Sequence, residues 1–194
     1  MTDAALLPPT PGQTVGPFFH YALPFPGDRD LVPPGSPGSI RLHGTVHDGA
    51  GDPVPDALVE IWQADADGRV PQVPGTLRRD GHAFTGFGRA STDRTGCYTF
   101  TTVAPGPVEG RPAFFGVTVF ARGLLDRLFT RAYLPLQPDA YDDVLRQAGE
   151  RAATLLCEAD ATAGGGGLRF GIRLQGEQET VFLTFPGHQA GHGG

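Results

Sequence analysis

Cysteine is almost missing from this chain: Cys97 and Cys157 are the only two among 194 residues, sixty positions apart. A disulfide framework is therefore excluded, and the pattern fits a reducing compartment. A basic cluster is missing too. Fifteen basic side chains face twenty-one acidic ones, for a formal charge of −6 and a pI near 5.4, and the longest basic run is Arg78-Arg79. Nucleic-acid binding normally needs a cationic stripe, so that function class is set aside. No apolar run is long enough for a bilayer, and Met1 to Pro9 lacks a basic start, so neither a signal peptide nor a membrane anchor is expected and a cytoplasmic protein is. Nucleophile elbows of the Gly-x-Ser-x-Gly type, P-loops and a Gly-x-Gly-x-x-G after a strand are also lacking.

What is abundant is glycine (29) and proline (19), about a quarter of the chain, beside thirteen phenylalanines. Gly and Pro are the two poorest residues for a helix interior, which disfavours a bundle, while the aromatics require a core. Residues 1–38 read as an extended arm, because nine prolines between Pro8 and Pro37 leave no room for a helix. Its Phe18, Phe19, Tyr21 and Phe25 are expected to lie on an apolar surface, either the chain's own body or another subunit. Residues 39–186 read as the folded domain and 187–194 as a disordered Gly/His tail. Within the domain, Ile40, Leu42, Gly44 and Val46 alternate with polar residues, the period of a half-wet strand. Further strands are expected at 57–64, 97–103, 114–121 (buried on both faces), 128–134, 168–174 and 179–185. A long loop is expected over 69–88, a helix over 138–159, and a linker at Gly164–Gly167. Many short strands and one helix define an all-β β-sandwich.

The candidate chemistry is sparse when judged on spacing. His43 and His47 share a strand face but stand about 13 Å apart at about 3.3 Å per residue, too far to chelate one ion. His20 and His82 lie in irregular segments without partners at ligand spacing, and His188 and His192 sit in the tail. Arg111 occupies a Gly-Arg-Pro bend. Arg131 sits mid-strand among apolar or small neighbours and must face solvent or an anion, since an unpaired buried charge is prohibitive; composition alone favours solvent. Asp65/Asp67 and Asp142/Asp143 fall in a turn and at a helix start, where capping accounts for them. No catalytic set emerges from spacing.

Three stretches nevertheless resemble one family. They are Val54–Gly68 (VPDALVEIWQADADG), then Phe84–Arg89 with Thr92-Asp93 and Gly96–Tyr98, then Pro105–Pro107 through Arg111–Ala113. Together they are similar to the intradiol ring-cleavage dioxygenases, and the similarity runs through nearly the whole chain. That resemblance implies a β-sandwich and a non-haem Fe(III) held by two tyrosines and two histidines. By motif match the tyrosine positions are Val70 and Val108, and the histidine positions of a His-x-His are Phe114 and Gly116. None of these four residues offers a lone pair to iron.

One branch of the family shows this loss: an α-type subunit that pairs with an iron-bearing β subunit in a hetero-oligomer. The opening Thr10–Phe18 and the closing Arg173–Phe182 resemble that branch. The resemblance implies a non-catalytic subunit that shapes the substrate entrance at the α/β contact, where the β subunit's Fe(III) and O2 cleave protocatechuate to 3-carboxy-cis,cis-muconate. Thr14, Gly16, Pro17 and Arg131 match the entrance residues. A guanidinium there would attract the substrate's carboxylate. Arg111 matches the arginine beside the metal in iron-bearing members and is read as structural or vestigial. The arm's aromatics are expected to order against the β subunit in a large apolar interface. The alternative is a free-standing degenerate homologue that binds a small aromatic acid or a protein. A relocated metal site at His43, His47 and His82 is disfavoured by their spacing.

Overall fold

The computed structural model describes residues 19–73, 83–162 and 166–185. Thr14, Gly16, Pro17, His82, Arg78-Arg79 and the 187–194 tail lie outside the described residues.

Two sheets enclose one core. In the first, β1 (Ser39–His47) is central, antiparallel to β4 (Cys97–Val103) and parallel to β8 (Gly167–Arg169) and β9 (Ile172–Arg173), with β7 (Glu158–Asp160) beyond β8. In the second the order is β3 (Phe87–Ser91), β2 (Leu58–Trp62), β5 (Phe114–Phe120), β6 (Leu128–Tyr133), all antiparallel. The alternation read from the sequence decides what meets between them. Leu42, Val46, Tyr98 and Phe100 come from the first sheet, and Val59, Ile61, Phe115, Val117, Val119 and Ala132 from the second. This is the expected β-sandwich.

Several boundaries differ from the expectation, each for a local reason. The arm is not free of helix: α1 (Phe19–Ala22) makes one turn ahead of Pro24. Leu31 is buried in the core, and its N–H donates to the Thr101 carbonyl at 2.7 Å. Of the described residues in the expected loop 69–88 only Phe87 and Gly88 are strand: they open β3, which the Glu60–Arg89 pairing helps hold, with Arg89 Nε and Nη2 reaching Glu60 Oε1 at 2.9 and 2.6 Å. Arg89 also donates through Nη1 to the Leu23 carbonyl at 2.7 Å, tying the arm to this sheet.

The expected 138–159 helix is broken. A 3-10 turn at Pro138–Ala140 precedes α2 (Asp143–Ala148), a second 3-10 segment (Gly149–Leu155) follows Gly149 at φ 58°, and the end is strand β7. Leu145, Ala152 and Leu155 still bury together, in a small second core with Tyr133 on the outer face of the second sheet. β5 is not fully buried on both faces, since Phe114, Gly116 and Phe120 are only half-buried. The 168–174 run breaks into β8 and β9, and 179–185 joins no ladder, although Leu183 N–H reaches the Phe129 carbonyl at 2.7 Å. Among the described residues no helix is long and apolar enough to cross a membrane.

Candidate functional site

Period two puts Phe114 and Gly116 on one face of β5, the face turned away from the main core. The antiparallel register then sets Trp62, Gly116 and Arg131 in a row across β2, β5 and β6, with Tyr133 opposite Phe114. Gly116 leaves a notch in that row: a methyl group there would meet nothing closer than the Trp62 carbonyl at 3.5 Å.

Two loops wall the row in. Asp65 Oδ1 accepts the N–H groups of Asp67 and Arg69 at 3.0 and 2.8 Å, closing the turn after β2 as an aspartate does. The Asp65 carbonyl accepts Gly106 N–H at 2.8 Å, which ties this turn to the loop after β4. The approach demands glycine on both sides. A Cβ on Gly68 (φ 81°) would fall 2.1 Å from the Pro107 carbonyl oxygen, and one on Gly106 would fall 2.5 Å from that of Ala66. Gln63, buried beneath, donates to the Val103 carbonyl at 2.9 Å and accepts from Thr102 Oγ1 at 2.5 Å, locking β2 to β4. Val70 and Val108 are thereby brought to the same place.

The result is a cavity of about 240 Å3 lined by Trp62, Val70, Val108, Phe114, Arg111 and Arg131, among others. Three of the four positions that the resemblance assigns to iron ligands line it, and the fourth, Gly116, stands in register between Trp62 and Arg131. Two valines, a phenylalanine and a glycine supply no donor atom for a metal, so this site does not fit ferric ion. Among the described residues no three His, Cys, Asp or Glu side chains cluster as a metal site. His43 instead bonds Asp160 through Nε2 at 2.9 Å, on the other sheet. Asp160 is held down to about 2, chiefly by its hydrogen bonds from Thr162.

Arg131 is not the plain solvent-facing residue that composition favours. Its guanidinium lies 4.2 Å over the Phe114 ring, and Nη1 donates to Tyr133 Oη at 3.0 Å. Tyr133 in turn donates to Asp142 Oδ2 at 2.9 Å, and Asp142 Oδ2 is 3.6 Å from Arg131 Nη1. Asp142 also caps α2 by accepting Leu145 N–H through Oδ1 at 3.1 Å, the role expected of it. Burial, chiefly, pushes the Tyr133 phenol up to about 12, so it stays a neutral donor. Among the described residues, Nε and Nη2 of Arg131 carry no hydrogen bond. Arg111 is exposed at the cavity rim, and among the described residues its guanidinium has no acid partner.

Tyr133 and Trp62 were not singled out from the sequence. Tyr133 had a signal, since it lies two residues from Arg131 and so shares its strand face. Trp62 had none beyond its place in the family-like stretch.

This sandwich, with a cavity between the loops after β2 and β4, defines a class: the chain belongs to the intradiol dioxygenase family. The family model described as Dioxygenase (Dioxygenase_C) matches residues 27–176. Over 201 residues the chain is 37% identical to the protocatechuate 3,4-dioxygenase alpha chain of Pseudomonas putida, covering 93% of this chain and 98% of that one. It is 35% identical over 178 residues to the beta chain of the same enzyme from Burkholderia cepacia, covering 80% and 74%. Among solved structures, the dioxygenase domain of a dioxygenase–carbohydrate-binding fusion from Streptomyces sp. SirexAA-E matches at TM-score 0.56 and 26% identity, covering 87% of this chain and 99% of that one.

Proposed function

We propose that the chain is the non-catalytic α subunit of a heteromeric protocatechuate 3,4-dioxygenase, in which a β subunit holds the Fe(III). The observation that carries this reading is the cavity itself. Val70, Val108 and Phe114 line it and Gly116 stands in register beside it, so every position matching an iron ligand is apolar or bare. A chain with that cavity cannot bind the metal there, and similarity to an alpha chain over nearly its full length supplies the role that remains.

In this reading Arg131 faces the entrance to the shared site and draws in the substrate, whose carboxylate is negative at neutral pH. Tyr133 and Asp142 hold Nη1, which leaves Nε and Nη2 as the fork a carboxylate accepts from. Thr14, Gly16 and Pro17, outside the described residues, are proposed to line the same entrance, and the arm to order against the β subunit. Co-expression with the β subunit tests both parts. The pair is expected to co-purify with iron and consume O2 with protocatechuate, and the lone chain to do neither. Arg131→Ala in the assembly is expected to raise KM for protocatechuate about tenfold, the scale of one charge-assisted contact, with less effect on uncharged catechols. Iron or turnover in the lone chain would end the subunit reading. Failure to pair would leave a free-standing binding module, and an unchanged KM would remove Arg131 from the entrance.

A further inference from the structure

Asp142 carries a charge that its structural duties do not use. It caps α2 by accepting Leu145 N–H at 3.1 Å, and it accepts the Tyr133 hydroxyl at 2.9 Å. Serine or asparagine caps a helix about as well as aspartate, and any neutral oxygen accepts from a phenol. Neither duty requires a negative charge. That charge nevertheless stands in a side chain only 12% exposed, 3.6 Å from Arg131 Nη1, where salt screens it weakly.

The contact offsets Arg131 without occupying it. The Tyr133 hydroxyl stands between the two, taking Nη1 at 3.0 Å and giving its own proton to Asp142. The guanidinium thus loses part of its field while Nε and Nη2 keep their donors. Among the described residues Asp142 is the one carboxylate within ion-pair distance of Arg131. Its neighbour Asp143 pairs instead with Arg146 at 3.8 Å on the exposed side of α2.

The proposed reaction changes the charge that this entrance meets. Protocatechuate arrives with one carboxylate and two phenolic hydroxyls, which stay protonated at neutral pH. Cleavage between the hydroxyl-bearing carbons adds both atoms of O2, turns those two carbons into carboxylates and releases two protons. A monoanion enters and a trianion leaves. A guanidinium without a counter-charge would hold three carboxylates more strongly than one. We infer that Asp142 sets the charge of the entrance for product release: its carboxylate offsets Arg131 enough that the trianion is not retained. The inference rests on the subunit reading above and adds to it a residue that discriminates product from substrate through Arg131.

Steady-state kinetics of the co-expressed assembly, with the ring-opened product added as inhibitor, tests this. In the wild type the Ki of the product is expected to be no lower than KM for protocatechuate. Asp142→Asn keeps a capping side chain of the same shape and removes the charge. It is expected to lower the product Ki about tenfold and KM for protocatechuate only about threefold, because three charges feel the loss instead of one. Added salt is expected to shrink both shifts. KM for catechol, which carries no charge, is expected to move less than about twofold, whereas a misplaced entrance would not spare it. Asp142→Ser, another capping residue, supplies the same comparison if the asparagine variant folds poorly. A wild-type Ki well below KM, equal shifts of Ki and KM, or catechol affected as strongly as protocatechuate would overturn the inference. Absence of turnover in the wild-type assembly would end the subunit reading and this inference with it, whereas turnover with an unmoved Ki ends the inference alone.

Discussion

Replacing Tyr133 by Phe removes one hydroxyl from a residue with no exposed surface and leaves the ring's packing against Phe114 in place. That hydroxyl accepts from a guanidinium at 3.0 Å and donates to a carboxylate at 2.9 Å. A hydrogen bond to a charged group contributes about 1.5–3 kcal/mol net. The two do not simply add, because Arg131 Nη1 and Asp142 Oδ2, 3.6 Å apart, can close the gap once the hydroxyl is gone. The net loss is expected to be about 2 kcal/mol. With a urea m-value of about 2 kcal/mol per molar for a domain of this size, the unfolding midpoint should fall by about 1 M at unchanged m. A cycle with Asp142→Ala separates the network from its parts. If the three side chains act as one unit, the double variant should lose at least about 1 kcal/mol less than the sum of the singles. Additivity within about 0.5 kcal/mol would show that Tyr133 does not couple Asp142 to Arg131, and the positioning argument would fail.

Two mid-strand glycines should respond oppositely to the same change. Gly44→Ala would put a methyl group 1.8 Å from the Phe170 carbonyl oxygen and 2.9 Å from Tyr98 Oη, so thermal unfolding should show a loss of about 3 kcal/mol or more, whereas Gly116→Ala has open space and should be neutral or stabilising by up to about 1 kcal/mol. Equal effects would contradict the packing described. Alkaline pH should unfold the protein early: burial lifts the Cys157 thiol from an ordinary value near 9 to about 12 and Tyr133 from 10 to about 12. The folded state keeps these protons while the unfolded chain has lost them, so stability is intact below pH 9 and falls as pH rises to 12, by roughly 6 kcal/mol for the pair. A Tm constant from pH 8 to 11 would refute this, and Cys157→Ala should flatten the decline.

How much of this was legible in the sequence depended on how local the cause was. β1 and β4 were read nearly to the residue, because alternation over seven or more positions is a backbone property. β3 was not, since its five residues include Gly88 and Arg89 and hold together through Glu60 on the neighbouring strand. The helix from 138 was overdrawn because helical spacing of its apolar residues survives in 3-10 turns, where the same side chains bury without a continuous helix.

The order of residues along the chain was enough to show that Val70, Val108, Phe114 and Gly116 carry no side-chain donor atom for a metal, that β1 has one half-wet face, and that Asp142 stands at a helix start where it can cap. These follow from side-chain chemistry and from periods of the backbone, neither of which needs a partner segment. Only the tertiary structure decided that Val70 and Val108 line one cavity, that Arg131 is held by Tyr133 and Asp142, and that Arg111, in the same cavity, has no acid partner among the described residues. Each of those depends on the contact of Gly68 with Pro107 or on the register of β2, β5 and β6. Such contacts join residues far apart in the chain, and no local pattern encodes which charge finds its partner once the sheets have closed.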